Sequence, residues 1–180
     1  MEKVNSVVSD LFLGKVILYP SEGVWGLGCD PNNEEAVNKL LKIKHRSNQQ
    51  GLILVGSKLS HLEKFTSLEK YFPEINKTWP GPHTWVFPSN TAPKWITGGR
   101  NSIALRLSDH PSIKLICNNF SGAIVSTSAN RSGKKPIKSF IEARTTFPNL
   151  SYLPGCIGDK KGSTSIQDIV TKEWIRKRKE

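Results

Sequence analysis

Cysteines are few in this chain, acids are outnumbered, and no apolar run is long. The three cysteines, Cys29, Cys117 and Cys156, are odd in number and far apart. That excludes a disulfide framework and fits a reducing cytoplasmic setting. Neither CxxC nor HExxH occurs, and the four histidines, His45, His61, His83 and His110, are scattered, so no metal-ligand set is spelled out. No stretch approaches the length of a membrane span, and the opening Met1-Glu2-Lys3-Val4-Asn5-Ser6 lacks the layout of a secretory leader. No Walker A pattern or G-x-S-x-G elbow is present. The spacing Gly23-x-x-Gly26-x-Gly28 is not the dinucleotide fingerprint, because no helix follows it directly. P-loop, nicotinamide-binding and serine-hydrolase chemistries are therefore not indicated. These glycines read instead as sites of tight turning and close backbone approach.

The shortage of acids is equally informative. Lys and Arg total 26 against 15 Asp and Glu, a net charge of +11. An excess of this size points to polyanionic partners: a nucleotide, a nucleic acid, or both.

The 180 residues suit one domain, and no break separates two cores, so a single domain over residues 1–180 is expected. Val4, Val7, Val8, Leu11 and Phe12 recur at helical spacing, with Gly14 as C-cap. Short apolar strands follow at Val16 to Tyr19 and Trp25 to Cys29. Asn32 with Glu35 predicts the cap of a helix whose apolar stripe is Ala36, Val37, Leu40 and Leu41. Continuing that stripe brings in Lys44, so a lysine sits on the sheet side of the helix end and needs an anionic partner or a route to water. Leu52 to Val55 reads as a buried strand and Ser57 to Phe72 as a helix broken near Ser67. Trp79 to Pro82 reads as a turn, His83 to Phe87 as a strand and Pro93 to Asn101 as a loop. Ser102 to Leu107 alternates, with Ile103, Leu105 and Leu107 on one face and Ser102, Ala104 and Arg106 on the other. Asp109 caps a helix from Pro111 to about Phe120, and Ser139 with Glu142 caps one to about Phe147. Thr164 to Val170 closes the strands, and the tail from Trp174 to Lys179 is basic. Interleaved strands and helices predict an α/β domain with a twisted mixed sheet, parallel and antiparallel, flanked by helices.

Three segments carry chemistry. Pro20-Ser21-Glu22-Gly23-Val24-Trp25-Gly26-Leu27-Gly28 follows a strand, and Lys44-His45-Arg46 ends a helix. The third starts as a buried strand, Ala123-Ile124-Val125, and turns into Ser126-Thr127-Ser128-Ala129-Asn130. That run reads either as an ordinary Ser/Thr-rich turn or as a strand end presenting hydroxyls and N–H groups to an anion. Gathered at one rim of the sheet, these segments and Arg106 would line a hollow suited to a triphosphate and a carboxylate.

Those blocks, with Gly51-Leu-Ile-Leu54, Trp79-Pro-Gly-Pro82 and Ser102-Ile-Ala-Leu-Arg-Leu-Ser-Asp-His-Pro111, resemble the YrdC/TsaC family of threonylcarbamoyl-AMP synthases. The likeness runs from about Val16 to Arg176 and is greatest to the short, single-domain bacterial form. It implies a YrdC-like fold with a basic concave face. It implies condensation of L-threonine, bicarbonate or CO2, and ATP into threonylcarbamoyl-adenylate with release of pyrophosphate. It implies cytoplasmic partners too: other proteins of tRNA threonylcarbamoylation, and tRNA or double-stranded RNA on the basic face. Mg²⁺ would accompany ATP, with no metal site built by the protein. By the same resemblance Lys44, Arg46, Gln50, Ser102, Ser128, Asn130 and Arg176 would hold ATP, and Ser21, Gly23, Arg106, Ser126 and Thr164 threonine. Lys44, Arg46 and Arg106 would carry catalysis. The chain departs from the pattern at Gly23, where many members have Thr. It departs at Gln50 and Val55, near which they have Asn and His, and in Ser163-Thr164-Ser165-Ile166, a variant of a late Ser-Thr-Ile-Val pattern. The alternative from another class is a non-catalytic RNA-binding maturation factor, which the charge and the basic tail alone would satisfy.

Overall fold

The computed structural model describes residues 2–47, 49–160 and 162–177. Among the described residues, nine strands form one sheet: β1 (Ile17–Pro20), β2 (Trp25–Gly28), β3 (Ile53–Gly56), β4 (His83–Pro88), β5 (Ser102–Leu107), β6 (Ile124–Ser128), β7 (Ser151–Tyr152), β8 (Ser165–Asp168) and β9 (Trp174–Arg176). Their spatial order is β7-β1-β2-β6-β3-β5-β4-β8-β9. The β1–β7, β3–β5 and β4–β8 pairs are parallel and the rest antiparallel, so the sheet is mixed as the sequence predicts.

Strand alternation sends side chains to two separate cores. Leu18, Leu27, Leu54, Val125 and Leu105 join one, packed with the helix α2 (Glu34–Lys44) through Val37 and Leu40. Ile17, Tyr19, Val55 and Ile124 join the other, beneath α1 (Glu2–Phe12) and α6 (Pro111–Phe120). Helix α1 turns Val7, Val8 and Leu11 inward, the stripe its spacing predicts. Each fully buried Leu or Ile contributes about 1.5–3 kcal/mol relative to exposure, so the two layers hold the sheet from both sides. The glycines of Trp25-Gly-Leu-Gly28 serve close approach. A Cβ at Gly26 or Gly28 would stand 3.1 or 2.9 Å from the Tyr19 ring lying over them.

Several expectations shift. The cap of α2 is Asn33, not Asn32; its Oδ1 accepts from Ala36 N at 3.0 Å. Residues 57–72 are not one broken helix but a single turn, α3 (Leu59–Leu62), then a 3-10 turn at Glu69–Tyr71 leading into α4 (Phe72–Ile75). Beyond the end of α3, Phe65 O accepts from the hydroxyls of Ser89 and Thr91. The 93–101 loop contains α5 (Lys94–Thr97), and α6 is entered from His110, with Pro111 supplying the preset first turn instead of an Asp109 cap. Ser139 does cap α7 (Phe140–Thr146), accepting from Glu142 N at 3.5 Å. The last expected strand ends earlier, at Asp168. Trp174–Arg176 of the basic tail forms the edge strand β9.

Candidate active site

Helices α1 and α6 cover their face of the sheet over β7, β1, β6 and β3. Farther along the same face, Arg106, Ser126 and Ile166 project from β5, β6 and β8 into a cavity of about 340 Å³. Its rims are the turn between β1 and β2, the C-terminal end of α2, the residues after β6 and the segment before β8.

Lys44 is only 3% exposed. Its Nζ donates to Ser128 O at 2.5 Å and Asn130 O at 2.8 Å, so backbone carbonyls, not a carboxylate, receive the lysine that completes the α2 stripe. Burial first, and Arg46 second, lower its pKa to about 8. Helix α2 stops because His45 adopts the left-handed conformation, φ 51°, with its N–H on Lys42 O. That reversal swings Arg46 onto the cavity wall, where Nη2 donates to Gly51 O at 2.8 Å and Nε has no partner. At the end of β6, Ser128 Oγ donates to Asn130 Oδ1, while Asn130 Nδ2 donates to Arg131 O and Lys134 O. The polar run is thus a held turn and a cavity wall at once.

Across the cavity, Arg106 Nη1 stands 3.2 Å from Glu22 Oε2, with both side chains under a tenth exposed. Ser108 Oγ donates to Glu22 Oε1 at 2.6 Å. Burial would raise the Glu22 pKa, but the Arg106 guanidinium and the Ser108 hydroxyl outweigh it and hold the carboxyl below its usual range. Tyr19 OH donates to Ser126 Oγ at 2.7 Å, leaving the serine's own proton for the cavity. Burial foremost raises the Tyr19 pKa, so the phenol stays a donor. Thr164 shares its hydroxyl with Thr84 at 3.1 Å, and its carbonyl accepts from Arg176 Nε at 2.8 Å. The Arg176 pKa is lowered by the wall around it and then by the like charges of Arg106 and Arg46. Among the described residues lining the cavity, Lys44, Arg46, Arg106, Lys160 and Arg176 face a single acid, Glu22. Such a cavity is set to receive anions.

The family model Sua5/YciO/YrdC, described as telomere recombination, matches residues 10–178. A curated relative from Halorhodospira halophila named threonylcarbamoyl-AMP synthase is 39% identical over 180 residues, covering 97% of this chain and 94% of the relative. The chain belongs to the Sua5/YciO/YrdC family. A second relative of the same name, from Coxiella burnetii strain RSA 493, is 43% identical over 180 residues, with 97% of each chain covered. The crystal structure of P. abyssi Sua5 complexed with L-threonine superposes with a TM-score of 0.84 at 26% identity, covering 92% of this chain. This chain spans 50% of that Sua5 chain.

Within this family fold, eleven of the twelve residues singled out from sequence line the one cavity: Ser21, Gly23, Lys44, Arg46, Gln50, Arg106, Ser126, Ser128, Asn130, Thr164 and Arg176. Ser102 does not. It opens β5 opposite Pro88, away from the cavity lining. Two charged wall residues were not singled out. Glu22 lay inside a highlighted segment, with no sequence signal of its own. Lys160 comes from a loop with no periodicity to announce it. That loop reaches the cavity because Gly158 N and Lys160 N donate to Ser21 O and Glu22 O at 2.9 and 3.0 Å. It also needs Gly23 bare, since a Cβ there would meet Lys160 O at 2.0 Å.

Proposed function

We propose that this chain is a threonylcarbamoyl-AMP synthase. It would join L-threonine, bicarbonate or CO2, and ATP, releasing pyrophosphate. The observation that carries this reading is the single cavity in which Lys44, Arg46 and Arg176 stand with Arg106 and Ser126. One part suits phosphates and the other an amino-acid carboxylate. Relatives of nearly equal length that bear this name support it, as does a fold neighbour solved with L-threonine.

In this reading the threonine amine adds to CO2, forming an N–C bond and releasing a proton. A carbamate oxygen then attacks the α-phosphorus of ATP, and pyrophosphate leaves. The chain supplies no covalent nucleophile to either step. Lys44 and Arg46 neutralise phosphate charge where the new P–O bond forms, and Arg106 and Ser126 fix the amino acid. Bringing two anions together is the obstacle, and a cavity with a large excess of cations lowers it. Mg²⁺ enters with ATP. Among the described residues no group of three His, Cys, Asp or Glu gathers that could hold it. No helix of the described residues is long and apolar enough to cross a membrane. Residues 1–180 act as one cytoplasmic domain. Its basic concave face receives tRNA, and partner proteins carry the threonylcarbamoyl group onward.

Pyrophosphate release tests the reading. It requires ATP, threonine and bicarbonate together. Release indifferent to threonine would overturn it.

A further inference from the structure

The Glu22–Arg106 pair is incomplete. Arg106 Nη1 and Glu22 Oε2 are 3.2 Å apart, yet Oε2 accepts no hydrogen bond and Arg106 Nε donates none. Both atoms are buried, and both residues line the cavity. Unmade hydrogen bonds on buried charged groups are costly, so two of them side by side point to an absent ligand. What they lack is complementary: Nε needs an acceptor and Oε2 needs a donor. The other oxygen of the carboxylate is occupied, Glu22 Oε1 accepting from Ser108 Oγ at 2.6 Å, and the neighbouring Ser126 Oγ accepts from the Tyr19 hydroxyl.

A simple carboxylate satisfies only half of this. It would find Arg106 and the free proton of Ser126, but would lie beside the Glu22 carboxylate and be repelled by it. A ligand with a carboxylate and an adjacent ammonium group satisfies both. We infer that Glu22 is a binding residue of the amino-acid subsite, accepting from the α-ammonium group while Arg106 takes the α-carboxylate, so that the pair selects zwitterions over other small acids. The inference rests on the synthase reading, which assigns an amino acid to this cavity but no role to Glu22. The Ser108 contact gives Glu22 a fixed direction, and the backbone bond from Lys160 N to Glu22 O at 3.0 Å holds the turn that carries it.

Calorimetric titration of the intact chain, in the presence of a non-hydrolysable ATP analogue, tests this with two probes. One is L-threonine. The other is 2,3-dihydroxybutyrate, which carries a hydroxyl in place of the ammonium group. The wild-type protein binds threonine at least about tenfold more tightly. Glu22→Gln keeps the shape and removes the charge. It weakens threonine about ten- to hundredfold and closes the gap between the probes, while the affinity for the ATP analogue holds. Unchanged threonine affinity in Glu22→Gln, or an equal loss for both probes, overturns the inference. If Glu22→Gln does not fold, Ser108→Ala serves. It frees the carboxylate from its hold and weakens threonine a few fold without weakening dihydroxybutyrate; equal effects on the two again overturn it. Wild-type protein that binds the ATP analogue but no threonine would overturn the synthase reading itself, a distinct result.

Discussion

With Lys44 against the phosphates, as proposed, nucleotide binding consumes protons. The Lys44 amine, withdrawn from water and next to Arg46, has a pKa lowered to about 8. A triphosphate beside it supplies the missing anion and returns the pKa toward that of an ordinary lysine. Bound Lys44 is then protonated throughout the neutral and mildly alkaline range, whereas free Lys44 loses its proton through pH 8. Binding ATP therefore takes up about 0.1 proton at pH 7, about 0.5 at pH 8 and about 0.9 at pH 9. The affinity falls by about tenfold from pH 7 to pH 9, or about 1.4 kcal/mol. Calorimetry in two buffers of different ionisation enthalpy reads the uptake directly. Lys44→Arg keeps the charge at every pH in this range, so its uptake is nil whatever its affinity. Uptake that does not rise with pH in the wild type, or that persists in Lys44→Arg, would refute the assignment of Lys44 to the phosphates.

Arg106→Ala strands the Glu22 carboxylate in a site under a tenth exposed. It costs about 3–5 kcal/mol, a fall in Tm of roughly 6–20 °C, and the double variant Arg106→Met, Glu22→Gln recovers most of that stability without activity. Gly23→Ala places a Cβ 2.0 Å from Lys160 O. Thermal unfolding should show about 1–3 kcal/mol of overpacking, and an unchanged Tm would mean that the Lys160 backbone yields freely. Native protein should react with a maleimide at the exposed Cys156 alone. Cys29 and Cys117 are buried, burial pushing the Cys117 thiol up to about 12, and become reactive only on unfolding.

Periodicity carried the parts of the fold that bury a face. The α1 stripe, the α2 stripe ending in Lys44 and the alternation of Ser102 to Leu105 are dictated by which residues must leave water, and the structure repeats them, whereas Arg106 is buried against that pattern. In the 57–72 segment the Phe65 carbonyl, past the end of α3, is held by side chains of a distant loop, Ser89 and Thr91. No local pattern reports a partner 24 residues away. Strand β9 was hidden for a related reason. Trp174–Arg176 is exposed, and only pairing with β8 makes it a strand. The cavity was legible where a residue breaks its element's rule, as Lys44 does on an apolar stripe and Ser126 at the end of a core strand. Glu22 and Lys160 break no rule of their own. Their roles arise from contacts between the β1–β2 turn, β5 and the segment before β8, which only the folded chain brings together.

The central claim is that this cavity joins a carbamate made from threonine to the α-phosphate of ATP. Mass spectrometry of a single-turnover mixture with ¹³C-bicarbonate tests it most directly. The account predicts an adenylate that carries threonine and the heavy carbon, formed together with pyrophosphate. AMP or ADP without that adenylate, or an adenylate lacking the label, would contradict it.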